Sequence, residues 1–116
     1  MATRQQCAAA LRTLADRLNE LANDRMRELT PDRTIVCRIP DLGTSFSAEL
    51  RDGSVLDINE GEGEDDDETA KVTFTVNSDD LVAVSDGSLR FSSAWASGRL
   101  KVDASMRDLL RMRSLL

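Results

Sequence analysis

The first 33 residues place apolar side chains every three or four positions, which is the spacing of one helix face. Thr3 can cap the start of such a helix, because its hydroxyl can accept a hydrogen bond from the first turn. Pro31 ends it, because the residue before a proline is pushed out of the helical region. We therefore predict a leading helix within residues 1–33, with the apolar series Cys7, Leu11, Leu14, Leu18 and Leu21.

The same spacing is also that of a coiled-coil seam, in which two helices pair through alternating steps of three and four. The series extends over about three repeats, which is short for stable pairing. We therefore favour packing of this helix on the chain's own sheet. A homodimer formed through the N-terminal helix is the alternative.

After Pro31 the apolar period changes to two, which is the period of a half-buried strand. Alternation of this kind marks residues 34–39, 45–50, 55–59, 72–77 and 98–103, and Asp52-Gly53 between the second and third segments is a strong hairpin signal. In the third segment, Leu56 and Ile58 form the predicted apolar side. A sheet with one apolar and one polar face is typically antiparallel and covered on one side. We predict an α+β fold with a five-stranded, mainly antiparallel sheet whose helices cover one face.

The last third of the chain predicts three short helices. Asn77 or Ser78 can cap the first one, and Asp86-Gly87 ends it. The second covers residues 92–97, and the third begins near Ser105. These helices carry many large apolar side chains that must be buried against the sheet.

The amino-acid composition excludes most common kinds of catalytic site. The chain has no His and no Tyr, so the commonest general base and the commonest zinc nitrogen ligand are missing. Cys7 and Cys37 have no metal-site spacing, and we expect both thiols to be buried. The net charge of −6 opposes binding to nucleic acid, which depends on neutralising phosphates. We therefore expect no catalytic residues, no metal site, no cofactor and no nucleic-acid partner.

Charge is concentrated in the middle of the chain. Residues 34–69 hold eleven acidic and two basic side chains, and the densest part is 60–69. Its spacing does not fit a calcium-binding loop. We interpret 60–69 as a mobile, solvated acidic loop, with a site for a cation or a basic partner as the alternative.

The length and the hydropathy of the chain predict its number of domains and its location in the cell. A chain of 116 residues is the size of one domain, so we predict a single domain over 1–116. The longest stretch without a charge is 91–98, far shorter than the roughly twenty residues that a spanning helix needs. The N-terminus lacks the pattern of a signal peptide. We expect a cytoplasmic protein without a transmembrane segment.

Two stretches near the C-terminus carry a resemblance to a known family. Residues 72–81 read VTFTVNSDDL, a strand followed by a capped helix, and residues 94–102 read AWASGRLKV. The second stretch resembles the Ala-aromatic-x-x-Gly-basic-Leu-Lys-aliphatic pattern of the sterol carrier protein family. Ala104 stands where a glycine is usual in the family, and the acidic segment is longer and more charged than expected. The C-terminal Ser-Leu-Leu also does not match the peroxisomal signal. The unmatched peroxisomal signal favours a prokaryotic, cytoplasmic protein.

The resemblance implies a sterol carrier protein-like domain that binds or transfers a lipid without catalysis. A fatty acid, fatty acyl-CoA or sterol-like molecule would lie in an apolar cavity between the sheet and the C-terminal helices. Arg90, Arg107 or Arg111 could hold its head group. The alternative is an interaction module of the same fold with a filled cavity, acting through dimerisation or a protein partner. The expected lining residues are Leu81, Val84, Phe91, Trp95, Leu100, Met106, Leu109, Leu110 and Met112.

Overall fold

The computed structural model of the protein describes residues 2–21, 32–51, 54–61, 71–105 and 109–110. Helix α1 covers Arg4–Leu21, which confirms the predicted leading helix over this range. Residues 22–31, which the prediction included, lie outside the described residues, and Arg33 already belongs to the first strand. The first strand therefore begins within the range that we assigned to the leading helix.

Thr3 caps α1 as predicted, and Gln6 completes the cap. The backbone N–H of Gln6 donates to Oγ1 of Thr3 at 3.1 Å. In return, the N–H of Thr3 donates to Oε1 of Gln6 at 2.8 Å. This reciprocal pair satisfies two N–H groups that have no partner inside the helix.

Five strands form one sheet in the order β3-β2-β1-β4-β5. Three of its pairings are antiparallel, and the central pair β1–β4 is parallel, so the sheet is mixed. The mainly antiparallel prediction is confirmed, with one parallel pair that alternation could not reveal. The strands are β1 (Arg33–Ile39), β2 (Thr44–Arg51), β3 (Ser54–Glu60), β4 (Lys71–Val76) and β5 (Leu100–Asp103).

Strand β3 differs from its predicted alternation. Val55 pairs with Leu50, and Leu56 pairs with Glu49 on the polar side, where its side chain is 45% exposed. The pairing then shifts by one residue, and Asp57 has a positive φ of 56°. A bulge of this kind adds one residue to the strand, so the alternation of faces before the bulge does not continue after it. The prediction that Leu56 shares the apolar side with Ile58 is therefore wrong, and Val55 takes the position next to Leu50.

The helices after β4 begin and end close to their predicted bounds. Helix α2 covers Ser78–Asp86 and ends at Gly87, whose φ of 85° is a left-handed conformation that glycine adopts without strain. Helix α3 covers Phe91–Ala96, one residue earlier than predicted at each end. Leu109 is helical and donates its N–H to the carbonyl of Ser105 at 2.9 Å, as expected for a helix beginning near Ser105.

The core lies between the helices and one face of the sheet. Alternate residues of the strands provide that face, among them Cys37, Ile39 and Phe46. The helices contribute small or aliphatic side chains to the same cluster, which are Cys7, Ala10, Leu81 and Ala94. Val36, predicted on the polar side, is also buried. It lies in the central strand, between Ser47 and Thr73 on its neighbours.

Candidate functional site

Three aromatic rings form a cluster where α3 meets the sheet. Phe91 and Trp95 lie one turn apart on α3, with ring centroids 6.0 Å apart at an angle of 69°. Phe91 also meets Phe74 of β4, at 6.2 Å and 72°. These edge-to-face contacts are the arrangement that aromatic pairs prefer. We call Phe74, Phe91 and Trp95 the aromatic cluster.

All three rings of the aromatic cluster are half-buried, in contrast to the core beneath them. That core contains Val76, Leu100 and Ala94, all buried. Val76 pairs with Leu100, and Phe74 pairs with Val102, so β4 and β5 present one continuous apolar surface to α3. The cluster therefore offers apolar surface that is partly covered and partly open.

The structure brings five of the predicted lining residues into the core or against it. Leu81 and Leu100 are core residues, and Val84, Phe91 and Trp95 pack against the core. Leu109 is half-buried. Met106 and Met112 lie outside the described residues. Leu110 is 61% exposed, so its side chain lies at the surface, where it cannot line an enclosed space.

Two cavities lie elsewhere, at the ends of the strands around Pro40. One of about 350 Å³ is lined by the end of β1 and the start of β2, including Arg38 and Ser45. The other, of about 300 Å³, has mainly polar and charged walls. Neither is lined by any predicted lining residue. Where we expected an apolar cavity, the described residues place the rings of the aromatic cluster.

Helix α2 is held at its N-terminus by a residue that the sequence does not single out. The carboxylate of Asp41 accepts hydrogen bonds from the backbone N–H of Ser78, at 2.9 Å, and from the Ser78 hydroxyl. These bonds hold the pKa of Asp41 below its usual value. Asn77 stands at the cap position, but its side chain makes no capping bond. The predicted cap by Asn77 or Ser78 is thus replaced by Asp41, 37 residues away.

Both cysteines are free and buried, as predicted. Burial raises the pKa of Cys37 to about 12, and the nearby Cys7 adds to the rise. Burial, together with Asp41 and Asp79, also raises the pKa of Cys7. Neither thiol is ionised near neutral pH, so neither is available as a nucleophile.

The described part of the chain brings no three acidic or cysteine side chains together in a geometry that could hold a metal ion. Across the same residues, no helix is long and apolar enough to cross a membrane.

Sequence reasoning missed Phe74 as a site residue. It occupies the apolar phase of β4, between Val72 and Val76, so the alternation contained the signal. The missing information was the position of α3. A residue on the sheet becomes part of a site through the element that covers it, and alternation does not identify that element.

Comparison with known proteins gives one family match. The SCP-2 sterol transfer family model matches residues 6–116. A search of curated proteins finds no match.

Several solved structures share the fold. Sterol carrier protein 2 like 2 from Aedes aegypti is 14% identical, with a TM-score of 0.58, and the match covers 97% of this chain and 98% of that one. The palmitated form of the same mosquito protein, determined by NMR, matches with a TM-score of 0.52 at 15% identity, over 89% and 90% of the two chains.

An enzyme also contains this fold. The inverting sec-alkylsulfatase Pisa1 from a Pseudomonas species is 22% identical, with a TM-score of 0.53. The match covers 73% of this chain but 13% of the sulfatase chain. At these identities the structures establish a shared fold.

Proposed function

Because the chain belongs to the SCP-2 sterol transfer family, we propose that it binds or transfers an apolar lipid without catalysing a reaction. The ligand class is a fatty acid, a fatty acyl-CoA or a sterol-like molecule. The binding surface that we propose lies between the sheet and the C-terminal helices, at the aromatic cluster. Leu81, Val84 and Leu100 support it from below.

The observation that carries this proposal is the half-burial of all three aromatic rings on one side of the core. Large apolar rings normally complete their burial in a well-packed interior, where each contributes a large apolar area. Here the rings keep part of that area accessible beside an apolar strand pair. A lipid chain lying against Phe91 and Trp95 would remove it from water.

The expected affinity follows from the apolar area available. Burying about ten methylenes at ~0.8 kcal/mol each gives about 8 kcal/mol before the entropy of association is subtracted. Net binding is then about micromolar or weaker, unless further contacts add to it. Arg90 stands directly before Phe91 and is exposed, so it is placed to meet a carboxylate at the chain end.

The absence of catalysis is part of the proposal. The sulfatase match covers a small part of that enzyme, so its activity is not transferable to this chain on that ground. The sequence has no His or Tyr, and the raised thiol pKa values leave Cys7 and Cys37 protonated. A carrier needs none of these groups.

Titration of delipidated protein with palmitate tests the proposal. Trp95 is the sole Trp and no Tyr is present, so emission reports directly on the aromatic cluster. We expect a saturable change in Trp95 emission with palmitate and none with acetate, which has the same head group. No change in emission, together with no lipid found on the purified protein by native mass spectrometry, would refute lipid binding.

A matched pair of variants locates the ligand. Phe91→Ala removes half-buried apolar area from the cluster, and we expect palmitate affinity to fall about tenfold. Leu11→Ala removes half-buried area from α1, which packs on another part of the core. Its affinity for palmitate should match that of the unaltered protein. Equal losses in both variants would mean that the effect is one of stability.

A second candidate function is an interaction module of the same fold, and an exposed apolar side chain on α1 favours it. Such a module would act through another protein or a second copy, and Leu18 of α1 is 46% exposed. Leu18→Glu would then lower the oligomeric state measured by light scattering, whereas a lipid carrier would keep both its mass and its palmitate affinity.

A further inference from the structure

The cavity of about 300 Å³ beside α2 has a wall chemistry unlike the rest of this acidic protein. Two cations, Arg99 and Lys101, line it together with the polar side chains of Thr75 and Asn77. Asp80 of α2 also faces the cavity, and the exposed Pro40 adds apolar surface. None of the predicted lipid-lining residues takes part, so the cavity is separate from the aromatic cluster.

One row across the sheet brings a further cation near this cavity. Lys101 of β5 pairs with Thr75 of β4, and Thr75 pairs with Arg38 of β1, which lines the neighbouring cavity. Neighbouring strands are about 4.8 Å apart, so the backbones of Arg38 and Lys101 lie about 10 Å apart. Arg99 directly precedes β5, which begins at Leu100, and it lines the same cavity as Lys101.

Asp80 is the exception in this basic surrounding. In the described residues, no ion pair joins Asp80 to Arg99 or Lys101, although all three line the cavity. The cavity thus presents a cationic wall and a separate carboxylate. A simple anion would use the first and be repelled by the second.

We propose that this cavity binds a phosphate group that carries an ammonium nearby, as phosphoethanolamine does. Arg99 and Lys101 hold the phosphate, because arginine makes paired bonds to its oxygens and lysine adds a point charge. The Thr75 hydroxyl and the Asn77 amide supply further donors. Asp80 accepts the ammonium, and Pro40 contacts the two carbons between. The volume is at the lower end of small-molecule sites.

Binding of soluble phosphoethanolamine, measured by NMR shifts of the Thr75 and Lys101 amides at low ionic strength, tests the site. The double variant Arg99→Gln with Lys101→Gln should lose about tenfold in affinity, because it removes two charge-assisted contacts. The control is Arg12→Gln with Arg17→Gln on α1, which makes the same change in net charge at exposed positions. Equal affinities in the two double variants would overturn the proposal.

Substitution of Asp80 gives a second test, in which phosphate affinity should rise and not fall. In the unaltered protein we expect about a threefold preference for phosphoethanolamine over inorganic phosphate. Asp80→Asn should bind inorganic phosphate more tightly, because a repelling charge is gone. The same variant should lose the preference for phosphoethanolamine. Asp79→Asn is the control, with the same charge change one residue away and outside the cavity lining. A preference unaffected by Asp80→Asn would contradict the assigned role of the carboxylate.

The same chemistry occurs free in solution and on a lipid. Vesicles of phosphatidylcholine with added phosphatidylethanolamine, compared with phosphatidylcholine alone, separate these sources. If the protein sediments only with vesicles that contain phosphatidylethanolamine, and the Arg99 and Lys101 double variant does not, the ligand is a lipid head group. Shifts with soluble phosphoethanolamine alone indicate a free ligand, and no response in either arm overturns the proposal. Because this site shares no residue with the aromatic cluster, failure here leaves the palmitate result unaffected.

Discussion

Helices α1 and α3 cover the same sheet in different ways. Helix α1 contributes Cys7, Ala10 and Ala15, which are small and buried, so its backbone approaches its neighbours closely. Helix α3 buries Ala94 but presents Phe91 and Trp95, which are large and half-buried. Small buried side chains leave little freedom to repack, whereas half-buried rings can change their surroundings at low cost. The α1 side is built for a fixed contact, and the α3 side for an adaptable one.

The largest expected effect concerns the shared core beneath both helices. Ile39→Ala removes a fully buried side chain from the central strand, and we expect a loss of about 3 kcal/mol in the free energy of unfolding. Urea denaturation followed by Trp95 emission measures it. A loss below about 1 kcal/mol would mean that β1 is not the common support of the two sides.

Overpacking α1 should rank second. Ala10 is buried and its neighbour Ala9 is exposed, so they form a matched pair on one helix. Ala10→Leu should cost about 2 kcal/mol of unfolding free energy, because added volume forces strain into a closely packed contact. Ala9→Leu should be near neutral. Equal stabilities of the two variants would contradict the close approach of α1.

These two predictions rest on features that the sequence reveals well. Periodicity assigned the strands to within two residues and identified α1 over Arg4–Leu21, because side-chain burial on one face imposes the period directly. The apolar phase of β1 likewise identified Cys37 and Ile39 as core residues. The local sequence pattern was sufficient for features that depend on a single helix or strand.

Other features depend on contacts between distant segments. The cap on α2 comes from Asp41, and no local pattern near Ser78 indicates an acceptor from the turn after β1. The side of Leu56 depends on a bulge at Asp57, which shifts the alternation by one residue. Leu110 follows an apolar helical pattern and yet is exposed, since a pattern indicates a face but not what covers it.

The Asp41 cap gives the third prediction. Ser78→Ala removes a buried hydroxyl that donates to Asp41, and we expect a loss of about 1 kcal/mol in the free energy of unfolding. Ser92→Ala, at an exposed position of α3, is the control and should change little. Should both variants unfold at the same urea concentration, the cap would have no part in holding α2.

The same cap also predicts a pH dependence. The pKa of Asp41 is lower in the folded protein than in the unfolded chain, so its ionised form favours folding. That contribution is present above the unfolded value of 3.8 and is lost as the pH falls through the lower, folded value. Asp41→Asn should therefore weaken the loss of stability below about pH 4. An unchanged acid profile in urea denaturation would contradict this cap.

Leu56 gives the smallest expected effect. Leu56→Ser alters a side chain on the polar side of β3, so the free energy of unfolding should change by less than about 0.5 kcal/mol. Val55→Ser, on the side that faces Leu50, should cost more. A greater loss of stability in Leu56→Ser than in Val55→Ser would mean that Leu56 lies on the apolar side, as simple alternation predicts, and would contradict the bulge at Asp57.

Photo-crosslinking tests most directly whether the adaptable side receives the lipid. Palmitate with a diazirine near its methyl end would be irradiated on the protein, and trypsin would release α3 within residues 91–99 and the buried face of α1 within residues 5–12. We predict adducts on 91–99 that excess unlabelled palmitate removes. Adducts concentrated on 5–12, or adducts on 91–99 that unlabelled palmitate does not displace, would contradict lipid binding at the aromatic cluster.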